Sequence, residues 1–166
     1  MLGIKMLDNF RTFTSAVNAE KKDLVEDLKM TLANATVLYH TIHGFHWNVK
    51  GSDFYEYHKF FDEIVSDIYG SLDPIAENIL KLGGVAPFHL PELMELSTIV
   101  APKPTSMEPK SLASAFAKIN LQMVDKLKAT FEIANKDKEQ GVANFIAERI
   151  DAHQKWDWFL TSSLGK

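Results

Sequence analysis

Residues 43–79, HGFHWNVKGSDFYEYHKFFDEIVSDIYGSLDPIAENI, combine apolar residues at helical spacing with three histidines, a tryptophan and a row of carboxylates. Buried imidazoles and acids are costly unless something compensates them. On a helix advancing 100° per residue, His58, Asp62, Asp73 and Glu77 fall within about 100° of one another. His58/Asp62 and Asp73/Glu77 are each four residues apart, the spacing at which two side chains of one helix reach the same ion. Imidazole with carboxylate suits iron, manganese or zinc and disfavours thiophilic metals.

The two pairs cannot serve one ion within one chain, because His58 and Asp73 are separated by about 22 Å of helical rise. Either each pair is an independent surface feature, or the helix lies antiparallel on its own copy about a two-fold axis. In the second case His58/Asp62 of one subunit faces Asp73/Glu77 of the other, giving two equivalent sites per dimer. Phe61, Val65, Tyr69 and Leu72 are then expected to supply the buried surface that holds the copies together. Acids four apart are more often a solvated face, and a histidine at a helix end, such as His46, is more often a cap or a packed residue. The sharing of one aromatic-rich, largely apolar segment favours metal.

The elements that position these residues are all helical, so the fold class is all-α. Leu24, Leu28, Leu32, Ala35, Leu38 and Ile42 mark a first helix over about residues 19–47, ending at the turn Asn48-Val49-Lys50-Gly51. A second runs over about 54–82, with Ser52 or Asp53 as its expected cap and Gly83-Gly84 as its stop. Pro74 is expected to kink it, or to mark a break with Asp73 close to the joint. Residues 85–105 form a proline-rich crossover in which 91–96 have the pattern of a short helix. A third helix starts near Ser106, and a fourth covers about 140–164. Two short joins and one long one predict a four-helix bundle of ferritin-like connectivity with a short helix in the long connection. The expected organisation is one domain over residues 1–166, with 1–18 as an N-terminal extension.

Composition narrows the function. The chain has 166 residues, is 46% hydrophobic and carries a formal net charge of −4, so no basic field recruits nucleic acid. Cysteine is absent, which removes disulfides and thiolate chemistry. The first residues lack the apolar core of a signal peptide, and no run has the length of a membrane span. These features predict a cytoplasmic protein with no membrane partner.

The sequence HWNVKG, followed by His58, Asp62, Asp73 and Glu77 at these intervals, closely resembles the Dps family, the mini-ferritins. That family's ferroxidase pattern is a His-Trp pair, a histidine twelve residues on, then acids after four, eleven and four more. Every step is met here. The run ERIDAHQKWDWFL from Glu148 resembles the family's closing helix. The resemblance implies a di-iron ferroxidase site at a two-fold interface, with His46, His58 and Asp62 from one subunit and Asp73 and Glu77 from its partner. It implies a hollow dodecamer that oxidises Fe(II), preferentially with hydrogen peroxide, and stores ferric mineral. It also makes Trp47 a candidate electron donor, the alternative being a large core aromatic.

Two departures stand out. The first 23 residues carry only Lys5, Arg11, Lys21 and Lys22 as cations, so DNA binding is expected to be weak or absent. Near the start of the last helix Gln140, Gly141 and Asn144 sit where family members carry pore acids, leaving Asp137 and Glu139. Rival readings lose their ligands: no Glu has a His three residues later, as larger ferritins require, and HExxH is missing. His40 and His43, with His89 and His153, are assigned structural or secondary roles. An oligomeric scaffold with a degenerate metal site is the alternative.

Overall fold

The computed structural model describes residues 21–165; the predicted extension 1–18 lies outside them. Among the described residues there are five helices and no strand: α1 Lys22–Asn48, α2 Phe54–Lys81, α3 Leu90–Leu96, α4 Pro109–Lys136 and α5 Gln140–Ser163. This is the ferritin-like bundle with the short helix, α3, inside the long connection.

The apolar spacing explains why these segments assemble. Leu24, Leu28, Leu38 and Ile42 of α1 are fully buried. They meet Phe61, Ile64, Ile68 and Ile75 of α2 and Leu112, Phe116, Ile119 and Leu127 of α4, all equally buried. Each such side chain contributes roughly 1.5–3 kcal/mol by leaving water. α1 packs on α2 and α4, and α4 pairs with α5.

Helices α2 and α5 are joined by a polar bridge. Arg149 donates two hydrogen bonds to Asp67, at 3.0 and 2.7 Å, and Trp156 Nε1 donates a third at 3.0 Å. Burial alone raises the Asp67 pKa, but the Arg149 and Trp156 hydrogen bonds and the Arg149 charge hold the carboxyl below its ordinary value. Next to it His153, almost wholly buried, donates from Nδ1 to Asn120 Oδ1 at 2.7 Å, and Asn120 Nδ2 donates back to the His153 carbonyl at 2.9 Å.

The ends of α2 differ from each other. Asp53 holds the N-cap position in the left-handed region, φ 60°, with no capping bond from its side chain. At the other end Gly83, φ 81°, closes a Schellman motif: Gly84 N–H donates to the Ile79 carbonyl at 3.0 Å and Gly83 N–H to Leu80 at 2.9 Å. Between them α2 runs without interruption through Pro74. Helix α4 begins three residues after Ser106, at Pro109, whose missing N–H suits a first turn.

The crossover is fastened to the bundle by Asn34, which is fully buried in α1. Its Oδ1 accepts from the Thr98 N–H at 2.8 Å and the Ser97 hydroxyl at 2.9 Å, while Nδ2 donates to the Thr98 hydroxyl at 3.0 Å. Asn34→Ala leaves these donors without their acceptor inside the protein. It is expected to cost about 2 kcal/mol, read as a lowered urea midpoint at unchanged slope.

Candidate metal centre

The turn between α1 and α2 brings His46, in the last turn of one helix, against His58, in the first turns of the next. Their rings stack with centroids 3.9 Å apart and an interplanar angle of 24°. His46 Nδ1 lies 2.9 Å from the His58 carbonyl oxygen, and His58 Nδ1 lies 2.9 Å from the His46 carbonyl oxygen. A carbonyl only accepts, so both Nδ1 atoms carry the proton and donate. Each neutral imidazole is thereby fixed in the tautomer whose lone pair is on Nε2.

Helix geometry explains why the His46 carbonyl is available. Carbonyls in a last helical turn lack intrahelical partners. Lys50 N–H, the next donor along the chain, is used elsewhere, on the Met107 carbonyl at 3.0 Å. Backbone hydrogen bonds to the non-ligating nitrogen are the support that metal-binding histidines ordinarily have.

Asp62 lies near His46. One of its carboxylate oxygens is 4.0 Å from His46 Nε2, beyond hydrogen-bonding range. A first-row divalent ion bonded to each at about 2 Å fits between atoms roughly 3–4 Å apart. His46 Nε2 and this Asp62 oxygen are therefore spaced for such an ion, and His58, stacked on His46, keeps its own Nε2 lone pair free.

Asp73 and Glu77 lie exposed near the far end of α2. Glu77 reaches Lys81 at 3.7 Å across solvent, an interaction of little energetic weight. Asp73 sits in a groove with Leu32, Tyr69, Leu72, Phe88 and Leu93. Among the described residues of one chain, no three His, Asp or Glu side chains gather into a metal site. The chain thus stacks His46 on His58 and sets Asp62 4.0 Å from His46 Nε2, short of a three-residue site.

The surface around these residues differs from the one expected in two of its members. Phe61 and Val65 are buried within the chain's own core, at 0% and 7% exposure. They point between α2 and its neighbours and cannot form an outward face. Exposed apolar groups include Tyr69, Trp47 and Phe54, with Phe88, Leu90 and Met94 of the crossover. The crossover members carried no signal in the helical periodicity of α2. Trp47 is 66% exposed, so in the chain it is no core aromatic. It lies against His43 with centroids 4.3 Å apart.

Known proteins share this fold. Residues 25–166 match the ferritin-like domain, which defines the class. The chain is 30% identical over 139 residues to the DNA protection during starvation protein of Helicobacter pylori, covering 84% of this chain and 96% of that one. It is 29% identical over 147 residues to DNA protection during starvation protein 2 of Bacillus anthracis, covering 87% and 99%. The structure of Dps from Thermosynechococcus elongatus superposes with a TM-score of 0.84 at 26% identity, covering 91% of this chain and 96% of that one. The chain belongs to the Dps family of ferritin-like proteins.

Proposed function

We propose that this protein is a mini-ferritin. It takes up Fe(II) as substrate, oxidises it at a centre shared by two antiparallel copies of α2, and stores the ferric product inside a hollow dodecamer. His46, His58 and Asp62 of one protomer bind with Asp73 and Glu77 of its neighbour, in a single-domain chain that works in the cytoplasm. The observation that carries this reading is the reciprocal carbonyl bonding of His46 and His58. It ties up both Nδ1 atoms and leaves both Nε2 lone pairs free, that of His46 4.0 Å from Asp62, with no ion needed to hold the rings.

Each residue type has its part in the chemistry. Neutral imidazoles bind Fe(II) without adding charge. The carboxylates favour the ferric product, since their negative charge stabilises the higher oxidation state. A ligand set this sparse leaves positions open for the oxidant, for which hydrogen peroxide is preferred: two ferrous ions supply the two electrons that cleave its O–O bond. Trp47, exposed beside His46, is placed to donate an electron when only one ion is present.

The test is anaerobic addition of Fe(II) and then peroxide, following ferric absorbance. Oxidation well above a protein-free control is expected, and its loss in His58→Ala. A wild-type rate equal to the control, with Asp73→Ala indistinguishable from it, would leave only the oligomeric scaffold.

No helix of the described residues is long and apolar enough to cross a membrane. The curated relatives are named for DNA protection. With a net charge of −4 per chain, few counterions are released from DNA on contact. Protection here acts by removing ferrous iron and peroxide together. A gel shift at physiological salt is expected to show no retained DNA, and a tight, salt-resistant complex would refute this.

A further inference from the structure

The rings near His46 continue beyond the ligands. Trp47 and His43 have centroids 4.3 Å apart, His43 and Tyr39 5.3 Å, and Tyr39 and Tyr69 5.4 Å. His43 is also 5.9 Å from His46. Residues 39, 43 and 47 are one helical turn apart along α1, and Tyr69 reaches across from α2. Tyr69 in turn precedes Asp73 by one turn of α2. The line of rings therefore begins beside the imidazole half of the metal centre and ends beside the carboxylate half.

Trp47 and Tyr39 are about 12 Å apart along the helix axis, a long single step for an electron. With the imidazole of His43 between them the gap is bridged by near-contact steps. A phenol that loses its proton is easier to oxidise at neutral pH than an indole, so an electron vacancy at Trp47 moves toward Tyr39.

We propose that Trp47, His43 and Tyr39, with Tyr69 packed against the last of them, form a relay that draws an oxidising equivalent out of the metal centre and holds it on Tyr39. This rests on the ferroxidase reading for the origin of the oxidant. When peroxide meets a centre holding one Fe(II), that ion gives one electron and cleavage of the O–O bond requires two. Tyr39 supplies the second through His43 and Trp47. The balance is Fe(II) + H2O2 + tyrosine → Fe(III) + OH⁻ + H2O + tyrosyl radical, with the phenolic proton ending in water. A later Fe(II) and a proton restore the phenol. The hydroxyl radical that one-electron cleavage releases is thus never set free.

The relay is testable without iron. Pulse radiolysis with azide radical oxidises tryptophan in the iron-free protein, and transfer to tyrosine is read as tryptophanyl absorbance decaying into tyrosyl absorbance. A fast, concentration-independent phase is expected in the wild type. It is expected to be lost in Trp47→Phe, in His43→Leu and in Tyr39→Phe, which keeps the ring but removes the phenol. Tyr55→Phe, outside the line and beneath Lys59, is expected to retain it. Absence of the phase in the wild type, or its survival in Tyr39→Phe, overturns the relay. Because no iron is present, failure of the ferroxidase assay does not affect this result, and the reverse also holds.

Discussion

Co-expressing a His46→Ala chain with an Asp73→Ala chain is expected to restore ferroxidase activity that neither variant has alone. In a mixed dimer one centre carries both lesions and is dead. The other is built from the intact imidazole half of the Asp73→Ala chain and the intact carboxylate half of the His46→Ala chain. Random pairing makes half the dimers mixed, each with one working centre, so about a quarter of all centres recover. Iron oxidation per subunit, with subunit ratios checked by mass spectrometry, measures this directly. A site within one chain predicts zero recovery at any ratio. The expectation follows from the separation of the two pairs along α2, which no side chain spans.

The second large effect concerns pH. Burial drives the His153 pKa from 6.5 down to about 3; the Arg149 charge pushes it the same way, and the Asp67 charge opposes them. The unfolded chain therefore binds this proton at a higher pH than the folded one. Between the two values the unfolded state holds more protons, so stability rises with pH; it is complete above 6.5 and is lost as pH falls toward 3. At about 1.4 kcal/mol per unit, acidifying from neutral to pH 4 removes on the order of 3 kcal/mol through this residue alone. Asp67 adds to the acid side in the same direction: its folded pKa is depressed, so its contribution is lost as pH falls through that value. Chemical denaturation at fixed protein concentration over this range is expected to show the slope. His153→Asn, which keeps a donor for Asn120, is expected to flatten it while lowering stability at neutral pH through the space it leaves. An unchanged slope in that variant would mean that other groups govern acid sensitivity.

Local periodicity made most of the fold legible. Helix α2 was readable because its apolar residues and its candidate ligands follow one 100° step, which also exposed the distance between the two pairs. The same step misled for Phe61 and Val65. On the helix they adjoin the ligand face, but their angle turns them into the chain's own core, and only packing decides which side of that border a residue takes. Pro109 moved the start of α4 past Ser106, because a proline favours the first turn over the cap. The α2–α5 bridge could not be foreseen, since Arg149 and Trp156 lie 82 and 89 residues beyond Asp67. One trace of it was visible: only Arg11 and Arg149 are arginines among 18 basic residues, and a bidentate grip on a carboxylate is what lysine cannot give. The aromatic line was hidden for the same reason, as Tyr69 joins it from a different helix.

The mutual grip of His46 and His58 makes the length of the stretch from Val49 to Asp53 part of the chemistry. One residue added there would keep every donor atom and every helix, yet lengthen the twelve-residue step from His46 to His58 and shift each ring off the carbonyl that steers it. A chain can therefore match the pattern letter for letter on both sides of that turn and still lose the orientation of both imidazoles. Among relatives, the count of residues in this hinge is as telling as the donors themselves.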